Sequence, residues 1–249
     1  MKRYFYGIAC FMLLALTGCN EEDSKDVMIF AICADYPPFE YVEKGEFIGF
    51  DVELAKMIAK ELGKTASFKD LQFNGLLAAV QGGIVDAAIS TLTITEERKE
   101  RFDFSKPYYV ESMAILFLKD EPVVNSSQLA NKKVACQLGT TMEIWLKAHA
   151  HKTDIVALDN TLQAVESLKS GHVDGVLVDA IQAKAFVKRN PQLGYKVIAQ
   201  ADTGYGMAFK KGSVLKDQVD QALISLEKKG LIKKLKKKFL GGEDGGVFK

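Results

Sequence analysis

The sequence predicts a mainly parallel α/β protein assembled from two like units, and three observations carry that prediction. Short apolar runs alternate with stretches of helical periodicity along the chain. The second half repeats the strand–helix order of the first. One helix–strand unit also recurs in detail. With Gly83 laid on Gly171, LLAAVQGGIVDAAIST (76–91) matches LQAVESLKSGHVDGVLVD (162–179), Val85-Asp86-Ala87 falls on Val173-Asp174-Gly175, and Thr91 falls on Asp179. Each unit would then present a polar residue at the carboxyl end of an equivalent strand, where ligands bind in open α/β sheets. Two such lobes facing each other would enclose a cleft.

Taken in order, the chain opens with Lys2 and Arg3, an uncharged and mostly apolar run at 4–16, and then LTGC ending at Cys19. That apolar run is a signal-peptide core, because a spanning helix needs about 20 residues. LTGC resembles a bacterial lipobox, which implies cleavage before Cys19 and lipid attachment to its thiol. Acyl chains contribute about 0.8 kcal/mol per buried CH₂, so several of them anchor durably. Loss of residues 1–18 removes Lys2 and Arg3 and takes the formal charge from +1 to −1. Residues 19–26 read as a lipidated tether.

A strand follows at 28–34, then a loop at 35–41 marked by Pro37 and Pro38. The stretch 46–64 contains a helix with Asp51 as its N-cap and Val52, Ala55, Ile58 or Ala59, and Leu62 at helical spacing. A strand is expected at 67–72, a helix at 73–83 stopped by Gly82 and Gly83, and a third strand at 84–90. The second half gives a strand within 129–141, a helix at 141–150, a strand at 154–158, a helix at 160–171 and a strand at 172–179. The apolar runs 113–120 and 205–213 are candidates for the crossings between lobes. The tail 216–240 reads as two helices broken at Gly230, the second with Leu231, Ile232, Leu235 and Phe239 as its apolar face and its lysines solvated.

Composition narrows the function. The chain has 249 residues, 48% hydrophobic and 26% charged, which fits a sizeable core and argues against disorder. A formal charge of +1 gives no reason to expect a nucleic-acid partner. Of four cysteines, Cys10 leaves with the signal peptide and Cys19 is used for lipid. Cys33 and Cys136 read as buried apolar residues in strands, their spacing prescribing no bridge. Motifs for a serine nucleophile elbow, a phosphate loop or a zinc protease are absent. His149 and His151 sit two apart and point to different faces of a helix, so no metal site is expected, nor any cofactor.

Binding chemistry is richer. STLTITEER (90–98) places Ser90, Thr91 and Thr93 at the end of an apolar run and follows them with Arg98. Hydroxyls beside a guanidinium make a carboxylate-binding corner, since Arg presents a planar fork that matches a carboxylate bidentately. The loop is expected to open into a short helix. Thr140 and Thr141 after Gly139 give a second set of anion-directed donors at a helix start. Tyr36, at the bend before Pro37, and Phe73, after another strand, fit either core positions or a sandwich around a small ligand. Asp179 ends a VLV strand, where a carboxylate needs a cationic or donor partner. Arg98 on one side and Asp179 on the other describe a receptor for a zwitterion.

YPPFEY, FIGFDVELAK, STLTITEER, FDFSKPYY, LGTT and VDGVLVD, in that order over residues 27–240, resemble the polar amino-acid family of bacterial extracellular solute-binding proteins, the receptors of ABC importers. The resemblance implies an α/β, two-lobed periplasmic-binding-protein type 2 fold with two hinge strands. Lobe 1 would comprise 27–110 and 207–240, lobe 2 would comprise 113–203, and 241–249 would be a tail. It implies that Arg98 holds the α-carboxylate with Thr93 and Thr141. Asp179 would hold the ammonium with Ser90, Thr91 and Thr93, and Tyr36 and Phe73 would flank the side chain with Gln137 and Leu138 near it. It further implies a monomer in the periplasm or cell envelope, lipid-anchored through Cys19, with an inner-membrane ABC permease as partner. Members that take basic amino acids often carry an acid three residues before the aromatic of YPPF. Cys33 stands there instead, leaving Glu40 or Asp35 to compensate. Two other readings share these residues: a cyclohexadienyl-dehydratase-like enzyme, with Glu143 as its acid, and an envelope sensor or antigen without transport.

Overall fold

The computed structural model describes residues 26–110, 112–200 and 203–241. The expected signal peptide, Cys10, Cys19, the tether through residue 25 and the tail from 242 lie outside them. The chain forms two lobes, each on its own five-stranded sheet, with helices on the faces.

In the first lobe, β1 (Val27–Ile32) is an interior strand of the sheet. It is followed by a small antiparallel sheet of β2 (Asp35–Tyr36), β3 (Glu40–Glu43) and β4 (Glu46–Ile48). The stretch expected as a loop around the prolines thus contains two short strands. The Pro37–Pro38 peptide bond is cis. Next come α1 (Phe50–Glu61), β5 (Thr65–Asp70), α2 (Leu76–Gln81), the two-residue β6 (Ala87–Ala88), α3 (Glu96–Arg101) and β7 (Phe102–Phe104). Helix α1 buries Val52, Ala55, Ile58 and Ala59, as its periodicity predicts, and Leu54 besides, while Leu62 is its half-buried C-cap; Asp51 and Glu53 stand in its first turn and Lys60 in its last. Its N-cap is Gly49, however, and not Asp51. The Asp51 side chain turns into the core and accepts a hydrogen bond from the Thr91 N–H, so tertiary contact overrides the local capping preference.

The second lobe contains β8 (Ser112–Leu118), β9 (Lys133–Gln137), α4 (Thr141–His149), β10 (Asp154–Leu158), α5 (Thr161–Lys169), β11 (Gly175–Asp179), α6 (Ala180–Arg189) and β12 (Leu193–Gln200). Helix α5 starts where Asn160 Oδ1 accepts the N–H groups of Leu162 and Gln163. Residues 113–120 are not a bare crossing. Met113 to Phe117 is buried throughout, and β8 lies between β11 and β12 inside the sheet, as a continuous apolar run requires. The chain then returns to the first lobe through β13 (Ala208–Lys210), α7 (Leu215–Lys228) and α8 (Leu231–Leu240). Gly230 adopts φ 66 between the last two helices, the break its sequence predicts. Ile232 and Leu235 of α8 are buried, and Lys233, Lys234, Lys237 and Lys238 are exposed.

The sheets share one plan: β5-β1-β6-β13-β7 in the first lobe and β10-β9-β11-β8-β12 in the second. In each, four strands run parallel and one, β13 or β8, runs against them between the third strand and the edge strand, so the sheets are mainly parallel, as the sequence predicts, with a single reversed strand. The internal match holds at atomic detail. Gly83 and Gly171 have φ 68 and 73. Asp86 Oδ2 accepts the Ile29 N–H of β1 at 2.7 Å, and Asp174 Oδ2 accepts the Lys133 N–H of β9 at 2.7 Å. The two aligned aspartates therefore perform the same task, tying the entry of the third strand to the first.

The crossings run side by side. Tyr109 pairs with Tyr205 at the first lobe, and Ser112 pairs with Gln200 at the second. Around the first-lobe end, Phe39 packs edge-on against Tyr109 and Tyr205, with ring centroids 5.3 and 5.7 Å away. No helix among the described residues is long and apolar enough to cross a membrane.

Candidate functional site

The carboxyl ends of the parallel strands meet between the lobes. Helix α3 begins where the Thr95 hydroxyl accepts the Arg98 N–H, which aims the Arg98 side chain back along the strand-end loop. Arg98 Nη1 donates to the Thr93 carbonyl at 2.7 Å and Nη2 donates across the cleft to the Gly139 carbonyl at 3.0 Å. The guanidinium also lies over the Phe73 ring, 6.0 Å from its centroid. Burial lowers Arg98 to about 10, which leaves it charged at neutral pH.

Opposite, Asp179 closes β11 and is buried. Tyr36 Oη donates to its Oδ2 at 2.6 Å from the other lobe. Burial, and then the Asp179 charge, push the Tyr36 phenol well above its ordinary value, so it remains a neutral donor. Thr93 and Thr141 place their hydroxyl oxygens 3.3 Å apart across the cleft. Gly139 has φ 80 and sits so close to the first lobe that a Cβ there would lie 3.4 Å from the Asn74 Cβ.

The cavity between these groups is lined by Tyr36, Phe73, Thr91, Thr93, Arg98, Gln137, Thr140, Thr141, Met142 and Asp179. Eight of the nine binding residues expected from the sequence are among them. The ninth, Ser90, is not. Its hydroxyl donates to Glu40 Oε1 at 2.7 Å and its oxygen accepts the Cys33 N–H at 3.0 Å, so alternation along the strand end turns it into the core while Thr91 faces the cavity. Leu138 does not line the cavity either; its N–H pairs with Leu158 as part of the sheet edge. Met142 also lines the cavity, and the sequence does not single it out, because nothing in a methionine at a helix start distinguishes it from a core residue. Thr91 has φ 45, in the left-handed region uncommon for a residue with a side chain, and its N–H is held by Asp51 Oδ2.

Gln137 leads out of this cavity. Its Nε2 contacts Cys33 Sγ at 3.7 Å and the Asp159 carbonyl at 3.3 Å. Beyond it lies a second cleft lined by Cys33, Asp35, Asp70, Asp159, Asn160 and Gln163 among others. Asp35 accepts the Cys33 thiol and the Thr161 N–H. Burial raises its pKa all the same. Cys33 and Cys136 are both buried free thiols. Glu40, one of two acids expected to compensate for Cys33, is fully buried on the core side and cannot reach the cleft; Asp35 does. Glu143, the candidate enzymatic acid, is partly buried, which pushes it up. The Lys147 ammonium at 2.6 Å and the Gly139 N–H at 2.8 Å nevertheless hold it below the usual carboxylate range, an ionised helix-start acid. Among the described residues no cluster of histidine, cysteine or acid side chains is arranged for a metal ion.

The arrangement places one cation and one carboxylate on opposite lobes, with hydroxyl donors between them and an acidic cleft at one end. The family model described as bacterial extracellular solute-binding proteins, family 3, matches residues 28–242. The arginine-binding extracellular protein ArtP of Bacillus subtilis (strain 168) is 35% identical over 246 residues, covering 95% of this chain and 96% of that protein. The L-cystine-binding protein TcyJ of Escherichia coli (strain K12) is 31% identical, over 90% of this chain and 86% of that one. Among solved structures, an ancestral arginine-binding protein bound to arginine superposes with a TM-score of 0.84 at 36% identity, covering 87% of this chain and 99% of the other.

Proposed function

The chain belongs to the bacterial extracellular solute-binding proteins, family 3, and is an amino-acid-binding component of an ABC importer; from that premise we propose how it holds its ligand and which amino acids it prefers. The amino acid lies between the lobes. Its carboxylate pairs with the Arg98 fork, helped by Thr93 and Thr141, and its ammonium with Asp179, helped by Thr91 and Thr93. Its side chain runs between Tyr36 and Phe73 past Gln137. The observation that carries this reading is that, among the described residues, Arg98 is the only cation and Asp179 the only anion lining the cavity, and that they come from different lobes. Bridging two lobes with one zwitterion favours hinge closure over the crossings at Tyr109 and Tyr205. Closure excludes water, and charge pairs that are weak in water then strengthen.

Beyond Gln137 the path leads toward Asp35, Asp70 and Asp159, which suits a cationic side chain. The neighbours described as arginine-binding agree with that preference. A cation beside Asp35 would also offset the burial that raises its carboxyl. A thermal-shift panel of the proteinogenic amino acids with ornithine and citrulline tests the preference, since bound ligand raises stability with its concentration over Kd. Arginine is expected to give the largest shift. Asp35→Asn is expected to weaken arginine about tenfold, or about 1.4 kcal/mol, and glutamine far less. Equal losses for both ligands in calorimetry would remove Asp35 from the specificity site.

The same reading makes an inner-membrane permease the partner of the closed form, with the protein tethered by lipid on Cys19. Cys19→Ser is expected to move the protein from the membrane fraction to the soluble fraction of cells. Equal membrane retention of the variant would exclude that anchor.

A further inference from the structure

Behind the ligand cavity, on the core side of the first lobe, two fully buried carboxyl groups meet. The side chains of Glu40 of β3 and Asp51 of α1 adjoin, close enough to share one hydrogen bond. The remaining contacts are specific. Glu40 Oε1 accepts the Ser90 hydroxyl at 2.7 Å. Asp51 Oδ2 accepts the Thr91 N–H at 2.9 Å and the Tyr108 hydroxyl at 2.7 Å. No other donor among the described residues reaches Glu40 Oε2 or Asp51 Oδ1. Two carboxylates cannot bond to each other unless one of them supplies a proton.

We propose that Glu40 and Asp51 form one positioning unit, sharing a single proton carried by Glu40, that sets the amino-acid site from behind by fixing Ser90 and Thr91. Asp51 has two donors on one oxygen and so is the better place for the negative charge, whereas Glu40 has only the Ser90 hydroxyl. The groups facing the pair agree. Asp35 and Tyr36 from β2, Cys33 after β1 and Tyr108 before the crossing are acidic or neutral, and burial followed by the Asp51 charge raises Glu40 well above the carboxylate range. Burial raises Asp51 as well, to about 6, while the Thr91 N–H and the Tyr108 hydroxyl pull it down, which leaves it the more acidic partner.

The unit acts on the site through two hydrogen bonds. The charged Asp51 oxygen holds the Thr91 N–H and with it the φ of 45 that turns the Thr91 side chain into the cavity. Glu40 orients Ser90, whose oxygen accepts the Cys33 N–H and so locks the end of β1 to the same loop. Neither carboxyl lines the cavity, so both are positioning residues and not ligand contacts.

The affinity part of the test rests on the amino-acid-binding reading above; the spectroscopic part does not. Infrared spectra of the wild-type protein at pH 7 are expected to show the carbonyl stretch of a protonated carboxylic acid, and Glu40→Gln is expected to remove it. Glu40→Gln keeps one acceptor for Ser90 and one donor for Asp51, so it is expected to weaken amino-acid binding less than threefold. Glu40→Leu, which keeps neither, is expected to weaken it at least tenfold. A wild-type spectrum without a band that Glu40→Gln removes would overturn the proposal. Equal losses of affinity in Glu40→Gln and Glu40→Leu would do the same. If the band is present while no amino acid binds, the shared proton stands and the ligand reading falls.

Discussion

Arg98→Ala is expected to weaken amino-acid binding by at least about 2 kcal/mol, roughly thirtyfold, because it leaves a ligand carboxylate enclosed without its counter-charge. The guanidinium is well placed for the task. Two of its N–H groups are fixed by the Thr93 and Gly139 carbonyls, so the fork is oriented before a ligand arrives, and donors remain for a carboxylate. Arg98→Lys keeps the charge but loses the planar fork, and an intermediate loss is expected. The Gly139 contact crosses between lobes, so the melting temperature without ligand should be measured beside the calorimetry to separate binding from closure. An unchanged affinity for every amino acid tested would mean that the carboxylate is held elsewhere.

Gly49→Ala is expected to lower stability by about 3 kcal/mol or more, through strain and overpacking together. Gly49 has φ 130 and ψ 177, a region essentially open to glycine alone. A Cβ there would fall on the Phe39 carbonyl and the Glu40 nitrogen. That backbone cannot retreat easily. The Phe39 carbonyl accepts the Asp51 N–H, the Pro38 carbonyl accepts the Phe50 N–H, and the Phe39 ring sits among Phe50, Tyr109 and Tyr205. For a protein of this size the loss corresponds to a fall in Tm of about 6–12 °C. A melt within 2 °C of wild type would show that the segment shifts without cost. The same contact explains why Gly49 caps α1 and Asp51 does not: the glycine lets the helix start press against the proline turn, and Asp51 is thereby delivered to the core.

The legibility of the site follows the range of the forces involved. Thr91, Thr93, Arg98, Thr141 and Asp179 are readable because strand ends, caps and helix starts are local features, and the structure brings all five to one cavity. The alignment of Gly83 with Gly171 is readable for the same reason, and the matched Asp86 and Asp174 bonds give it a physical basis. The Ser90 hydroxyl could not be oriented from sequence, because its direction depends on Glu40, 50 residues away along the chain. Nothing in the sequence singles out α6 and β12, and 113–120 reads as a crossing, because an apolar run does not reveal which strands will flank it.

By itself, then, the sequence determined the alternation of strands and helices, the duplicated unit that matches Thr91 with Asp179 at equivalent strand ends, and the chemistry of a zwitterion receptor with Arg98 as its cation and Asp179 as its acid. Those properties reside in periodicity and residue type. Only the tertiary structure decided that each sheet takes in one antiparallel strand, that Glu40 is turned toward Asp51 while Asp35 reaches the second cleft, and that Thr91 rather than Ser90 lines the cavity. A side chain's direction is set by the packing of partners distant in sequence, and those partners meet only when the fold is made.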